Sequence, residues 1–588
     1  MIGEGAGASP AAPSCNPSEA PMIRNPLAFP LTRRSTLGRM AAGTAALVLS
    51  DVAMAAPDGP FRHGVASGDP DATSVVLWTR VTTSGDVRVV CEVAADPAFS
   101  RLAAKGEVIT GPGRDHTVKW LATGLVPGQT WYYRFRLDSE VSPTGRARTL
   151  PTGRLERLGI ALASCSNFAF GYFNAYEAIA RDAAVDFVLH TGDYIYEYGH
   201  DGWGDEAAKA LGRRHDPAHE IVSLSDYRRR HAQYKTDAGA QAMHAAHTFI
   251  ACWDDHESAN NPWTGGAQNH QPANEGEWQA RREASVRAYF EWMPVREPEW
   301  LGRPGATRMQ FWRSYSFGDL ASLTTLETRH TARGQQVDYA ALLEQGADAD
   351  SVARFRRDVL AAPGRRMISP ECEADLARSL EQSVTARQPW RLIGNAIPIA
   401  RTDVPDLVAL GILPDPDAPG APFAGAALDN AKALAAKGRA GLPFYPDTWD
   451  GYPWAREQLY ALSRKAGAGD LIFLTGDSHS FWANSLKDAD GRAAGIELGT
   501  AGITSPGDFV ESGFGEVLSR TLDMAFADHI PEVVWTDNLH QGYVRLDLER
   551  EAAEATFIAV DTVTSRDFRP FIVNRFGIVR TEGSVGFA

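Results

Sequence analysis

Cysteine is scarce in this chain, five residues in 588, which excludes a fold held by a disulfide framework. Positive charge is also short: 58 Lys and Arg stand against 73 Asp and Glu, for a formal net charge of −15. That balance argues against nucleic-acid binding, which rests on cationic contacts to phosphate. No apolar run approaches the roughly 20 residues a helix needs to cross a hydrocarbon core of about 30 Å, so no membrane span is expected. A composition 44% hydrophobic and 22% charged excludes disordered, collagen-like and coiled-coil classes. Several catalytic signatures are missing too: no G-x-x-x-x-G-K, H-E-x-x-H or G-x-S-x-G occurs. A cysteine-phosphatase loop needs Arg where this chain has Gly171 beyond Cys165, and Asp477-Ser478 lies in a Gly-Asp-x-His setting unlike that of a serine nucleophile.

What is present begins with an export signal. Arg33, Arg34 and Arg39 precede the short apolar run Met40–Leu49, and Ala53-Met54-Ala55 supplies an A-x-A cleavage site. Arg33-Arg34-Ser35-Thr36-Leu37 resembles a twin-arginine (Tat) signal, which makes residues 1–55 a Tat-type signal peptide and the Tat machinery an expected partner. That route carries folded proteins and suits an enzyme loaded with metal before export. The product is expected to be extracytoplasmic, periplasmic or secreted, and soluble.

Residues 56–152 have the pattern of a small β-sandwich of Ig-like type. Val75–Val81 is strand-like, and Trp131, Tyr133, Phe135 and Leu137 alternate with Tyr132, Arg134 and Arg136. A boundary is expected at Pro151-Thr152-Gly153, with a catalytic domain over 153–588. There, short apolar runs (159–163, 185–189, 248–252, 321–326, 391–393, 470–474) alternate with helical patterns at 174–182 and 225–246, so the class is α/β. Residues 199–222, 258–285 and 402–450, rich in Gly, Pro, Asp and Trp, are expected to be rim loops.

The chemistry collects where these runs end. One leads into Ser164-Cys165-Ser166-Asn167 and the next into His190-Thr191-Gly192-Asp193-Tyr194-Ile195-Tyr196-Glu197. Others lead into Trp253-Asp254-Asp255-His256-Glu257, Gly394-Asn395 and Gly476-Asp477-Ser478-His479. Ligands of open α/β sheets bind beyond the carboxyl ends of strands, so these five ends converge on one site. Several carboxylates at one mouth are costly unless a multivalent cation offsets them. Thiolate and phenolate from Cys165 and Tyr196 suit trivalent iron. The oxygens of Asp254, Asp255, Asn395 and Asp477 suit a hard cation such as calcium. Such a cluster would bind phosphate oxygens and activate an oxygen nucleophile. Plainer readings hold elsewhere: Arg228-Arg229-Arg230-His231 as a helix face with salt bridges, Trp253 and Trp482 as packing, and Cys91, Cys252 and Cys372 as buried thiols.

With these residues in view, the chain resembles the alkaline phosphatase D (PhoD-like) family of secreted metallophosphatases. The carrying segments include Phe61-Arg62-His63-Gly64-Val65-Ala66-Ser67-Gly68-Asp69-Pro70, Leu77-Trp78-Thr79-Arg80 and Ala163-Ser164-Cys165. They continue through Gly192–Tyr198, Asp226-Tyr227-Arg228, Trp253–Glu257, Trp449-Asp450-Gly451-Tyr452-Pro453, Gly476–His479 and Gly542-Tyr543. The resemblance implies an Ig-like domain followed by a calcineurin-like four-layer αββα metallophosphatase domain, with one ferric and two calcium ions. It implies Cys165, Asp193 and Tyr196 as iron ligands, with Asp193 bridging, and Asp255, Asp477 and His479 in the remaining metal motifs. Asp254 and Asn395 become calcium ligands or supports behind them, and His256 a group that binds phosphate or protonates the leaving group. His256, Asp193 and Arg329 form the candidate catalytic set. Two departures stand out: Ala396 follows Asn395 where Gln is common, and Glu327 in Leu326-Glu327-Thr328-Arg329 replaces the usual Asp. The family also suggests that a C-terminal element covers the site.

The expected activity is hydrolysis of phosphate monoesters, and of diesters, by a monomeric enzyme acting on a phosphate-ester substrate. The alternatives are a dedicated phosphodiesterase or phospholipase D on the same scaffold, and a non-catalytic, metal-bound adhesive module.

Overall fold

The computed structural model describes residues 59–297, 311–344, 347–581 and 583–588. The signal-peptide reading of residues 1–55 lies outside them. Two large sheets organise the chain. In the first, Arg157–Ala163, Phe187–Thr191 and Thr248–Cys252 run parallel as neighbours. In the second, Ala321–Thr325, Trp390–Gly394, Leu471–Thr475 and Ala493–Gly499 do the same. Strands buried on both faces read as near-continuous apolar runs, as in Phe187-Val188-Leu189 and Leu471-Ile472-Phe473-Leu474, whereas Ala321–Thr325 carries Ser322 and Thr324.

Alternation appears in which partner each residue meets. Leu158, Ile160 and Leu162 of the first sheet pack with Leu323, Leu392, Ile472, Leu474 and Ile496 of the second, forming a core between the sheets. Ala161, Ala163 and Val188 face the other way, toward Tyr176 and Ile179 of the helix Asn174–Arg181 and Met243 of the helix Ala238–Ala246. On the far side, Ile393, Leu471 and Phe473 meet Leu376 and Leu380 of Pro370–Thr385 and Leu459 of Pro453–Lys465. Each buried Leu, Ile, Val, Phe or Met among them contributes about 1.5–3 kcal/mol. The strand ends are therefore fixed from both faces.

The N-terminal region is β-rich. A smaller sheet containing Val87–Ala94, Leu102–Thr110 and Thr130–Leu137 packs through Val89, Cys91, Val93, Tyr133 and Phe135 onto Val75, Leu77 and Val118. These last residues lie on Ser74–Arg80 and Thr117–Thr123, which are not a separate sheet. They continue the first large sheet through Val65–Gly68, which pairs in parallel with Thr248–Cys252.

Four expectations are corrected. The pattern at 225–246 is two helices, Leu224–Tyr234 and Ala238–Ala246, because Asp237 caps the second by accepting from the Gly239 N–H at 2.8 Å. The rim segments hold helices, Asp205–Leu211, the start of Trp278–Trp292 and Ala426–Ala440. The C-terminal segment forms the edge strands Pro570–Thr581 and Ser584–Phe587. A Cβ at their turn residue Gly583 would meet nothing within 4 Å, whereas Gly469 approaches the Gly583 carbonyl, at the amino end of Leu471–Thr475. The turn thus lies at the strand end away from the expected site. The arginine run is also less exposed than expected: Arg228 and Arg229 pair with Glu291 and Asp216, but Arg230 and His231 are buried. Cys91, Cys165, Cys252 and Cys372 are free and buried. Among the described residues no helix is long and apolar enough to cross a membrane.

Candidate metal centre

The strand ends converge. Cys165, Asp193, Asp477 and His479 all follow parallel strands, and all four have positive φ, at 61°, 57°, 65° and 53°. Non-glycine residues rarely adopt this region, which costs of order 1–3 kcal/mol each. The sharp turns aim four polar side chains back over the sheets' ends.

Backbone contacts hold the turns together. The Cys165 N–H donates to the Gly192 carbonyl (3.2 Å) and the Ser166 N–H to that of Asp193 (2.9 Å). Glycine is required at two crossings. A Cβ on Gly192 would lie 2.3 Å from Asp254 Cβ, and one on Gly476 would lie 2.2 Å from Ser164 Oγ. Glu257, buried beneath, accepts the N–H groups of Asp193 (3.1 Å), Tyr194 (2.6 Å) and Asp254 (2.8 Å).

Three sets of side chains then come close enough to share an ion. The ligand atoms of Cys165, Asp193 and His479 lie within 4.8 Å of one another, as do those of Asp193, Asp255 and His256, and those of Asp254, Asp255 and Asp477. Asp193 and Asp255 each belong to two sets. The Tyr196 hydroxyl joins the first, donating to Asp193 Oδ2 (3.1 Å) and lying 3.3 Å from His479 Nε2 and 2.9 Å from Ser505 Oγ. The donor chemistry fits cations, since Asp254 Oδ2 and Asp255 Oδ1 are buried oxygens with no hydrogen-bond donor.

Electrostatics point the same way. Burial, joined by repulsion among neighbouring carboxylates, raises Asp193 and Asp477 well above the usual range. Burial likewise raises Cys165 and Tyr196, with Asp193 adding to both. Such groups favour protons unless a multivalent cation takes the protons' place. Burial lowers His479 to about 3, leaving the neutral imidazole that ligates metal. His256 behaves oppositely: burial works against its charge, but Asp255, Glu197 and Asp193 raise it well above the ordinary value. Its Nδ1 is 2.7 Å from Glu197 Oε2, and its Nε2 is 3.8 Å from Asp255 Oδ2.

Arg329 is buried against the acidic set. It pairs with Asp254, with Asp477 at 2.8 Å and with Asp255 at 3.6 Å. Glu327 holds its loop, accepting from the N–H groups of Arg329 (2.9 Å), His330 (2.7 Å) and Thr331 (2.8 Å). The Glu-for-Asp departure is thus a backbone cap. Asn395 is engaged sideways: its Oδ1 accepts from the Trp449 indole (3.1 Å) and its amide donates to the Ile397 carbonyl. Trp253 and Trp482 are buried, with their N–H groups on Glu327 and Ser478.

Glu197, Glu257, Ser505 and Asn261 had no individual signal beyond their place in a string of residues, or none at all. Asn261 bonds both Asp255, through its N–H (2.8 Å), and Arg329, through its Oδ1 (3.2 Å). Trp203, which stacks on His479 with centroids 5.4 Å apart and rings 14° from parallel, was also silent in the sequence.

Comparison with known proteins gives the family. The model described as "PhoD-like phosphatase" matches residues 160–557, and "PhoD-like phosphatase, N-terminal domain" matches residues 46–151. Alkaline phosphatase D of Bacillus subtilis (strain 168) is 31% identical over 526 residues, covering 86% of this chain and 78% of that protein. A solved structure titled "Structure of PhoD" superposes with a TM-score of 0.70 at 28% identity, covering 90% of this chain and 92% of the other. The chain belongs to the PhoD-like phosphatase family and is a phosphoric ester hydrolase.

Proposed function

We propose that this member of the PhoD-like phosphatases hydrolyses phosphate monoesters, and diesters more slowly, with one ferric and two calcium ions. The observation carrying the proposal is the pairing of unlike donor sets around shared Asp193 and Asp255, with buried carboxylate oxygens that lack donors. Cys165, Asp193, Tyr196 and His479 would hold iron, for which thiolate and phenolate are apt ligands. Asp254, Asp255 and Asp477, with Asn395 behind them, would hold calcium. When bound, these ions supply positive charge to phosphoryl oxygens and lower the pKa of the attacking water.

The chain's own groups do the rest. Glu197 fixes His256 through Nδ1, which leaves Nε2 to carry a proton to the departing alcohol oxygen. Arg329 positions Asp254 and Asp477 and lends its charge to the incoming phosphate. We read the catalytic part, residues 153–588, as a calcineurin-like four-layer αββα domain and residues 56–152 as an Ig-like sandwich. Residues 1–55 are read as a twin-arginine signal, delivering a monomer outside the cytoplasm.

The test is elemental analysis of protein exported through its own signal, with rates on a nitrophenyl monoester and a bis-nitrophenyl diester. Iron with about twice as much calcium and a faster monoester rate are expected. Zinc alone would sink the metal assignment, and a diester preference of orders of magnitude would sink the monoester reading.

A further inference from the structure

The roof of the site comes from two loops that meet far from each other in sequence. Trp203 precedes the helix Asp205–Leu211, and Glu511 ends the short helix Asp508–Glu511. The Trp203 indole N–H donates to Glu511 Oε1 at 2.5 Å. Its ring lies nearly parallel to two site imidazoles, 14° from His479 at 5.4 Å and 19° from His256 at 6.5 Å. Phe170 meets it edge-on at 4.8 Å and Tyr198 at 6.1 Å. Trp203 is half-buried and Glu511 exposed, so the link is a surface latch on a wall that faces the chemistry.

From this arrangement we propose that Trp203, latched by Glu511, sets the size of alcohol group that the site accepts. The inference rests on the phosphate-ester reading above. If His256 protonates the departing oxygen, the alcohol bonded to that oxygen must leave from the His256 side. The indole lies 6.5 Å from that imidazole and 5.4 Å from His479. A small or flat alcohol fits beside or stacks against the indole. A bulky one collides with it while the latch is closed. Trp203 lies against the rings of Tyr196 and His479 but its indole N–H is a donor only, so its part is specificity rather than metal binding.

Three variants test this: Trp203→Ala, Trp203→Phe and Glu511→Ala. The ratio of kcat/KM for phenolphthalein monophosphate, whose alcohol is bulky, to that for the nitrophenyl monoester should rise about tenfold in Trp203→Ala, the range expected when a pocket wall is removed. It should rise less in Trp203→Phe and Glu511→Ala, which keep an aromatic ring but lose the latch. Inorganic phosphate carries no alcohol, so its affinity by calorimetry should stay within about twofold in all three. An unchanged ratio in Glu511→Ala and Trp203→Phe, with both rates falling together, overturns the proposal and leaves Trp203 a packing residue. If Trp203→Ala does not fold, those two variants still decide. If the wild-type protein neither cleaves either ester nor binds phosphate, the phosphate-ester reading itself falls, a result distinct from an unchanged ratio in an active enzyme.

Discussion

The two halves of the metal centre balance their charge in different ways. Asp254, Asp255 and Asp477 share Arg329, a buried cation supplied by the chain itself. Cys165, Asp193, Tyr196 and His479 touch no Arg or Lys among the described ion pairs, and burial raises the first three and keeps His479 neutral. The acidic half therefore has a built-in counterion that offsets part of its charge, with Asp477 still raised by burial and by Asp254, whereas the thiol–phenol half has no Arg or Lys partner and relies on protons or on a bound metal.

Asp193 spans both halves, and removing its charge should do the most damage. Asp193→Asn is expected to lower kcat by more than the roughly 100-fold that loss of a supporting partner costs, with iron lost in elemental analysis. Retained iron and near-normal turnover would show that the halves work independently.

Arg329→Met addresses the acidic half alone. It leaves Asp254 and Asp477 buried without their partner, which should destabilise the chelator-treated protein by roughly 3–5 kcal/mol. Added calcium should restore most of the loss, read as the unfolding midpoint in urea. The same chelation should cost the wild type much less. Equal sensitivity in both proteins would remove the distinction between the halves.

Glu197→Gln probes the junction through His256. Because Asp255, Glu197 and Asp193 raise the folded-state value, the stabilisation from the charged imidazole is complete below about 6.5. It is lost as pH rises through the raised value. A proton donor held this way keeps its proton into alkaline solution. Glu197→Gln should lower the raised value, so the alkaline limb of the kcat profile moves to lower pH and kcat falls about tenfold. A kcat loss with no movement of that limb would make Glu197 a support for the Asn260 and Asn269 contacts only.

How much of this could be read in advance differs along the same divide. The ligands sit at strand ends, and strand ends are legible: Thr248–Cys252 is a short apolar run that stops at Trp253, and the structure starts and stops it there. The left-handed turns carrying Cys165 and Asp477 lie against glycines or neighbouring loops that no local pattern reports. Supports were less legible because a buried carboxylate capping backbone N–H groups has no sequence period. Glu257 bonds the amides of Asp193 and Tyr194 on a loop that only folding brings near, and Glu327 caps the amides of its own loop. Asp237 was a missed local signal, a helix-capping residue inside a run otherwise helical by pattern. Ala426–Ala440 was hidden by the Gly and Pro around it, although its own composition favours helix.

The smallest effect tests the metal-reliant half most directly. Ser505 Oγ lies 2.9 Å from the Tyr196 hydroxyl, which also bonds Asp193 and lies near His479. A phenol that gives up its proton to bind a cation becomes an acceptor, and Ser505 is then placed to donate to it. Its bond lowers the Tyr196 value against the upward push of burial and of Asp193. Ser505→Ala should therefore weaken iron binding by about fivefold, corresponding to roughly 1 kcal/mol for one hydrogen bond. Without the donor, charge flows more readily from phenolate to ferric ion, so the visible phenolate-to-iron absorption should move to longer wavelength. Calcium binding at the acidic half should not change. If calcium affinity fell with that of iron, Ser505 would act on the fold of the whole centre, and the two halves could not be treated as separately held.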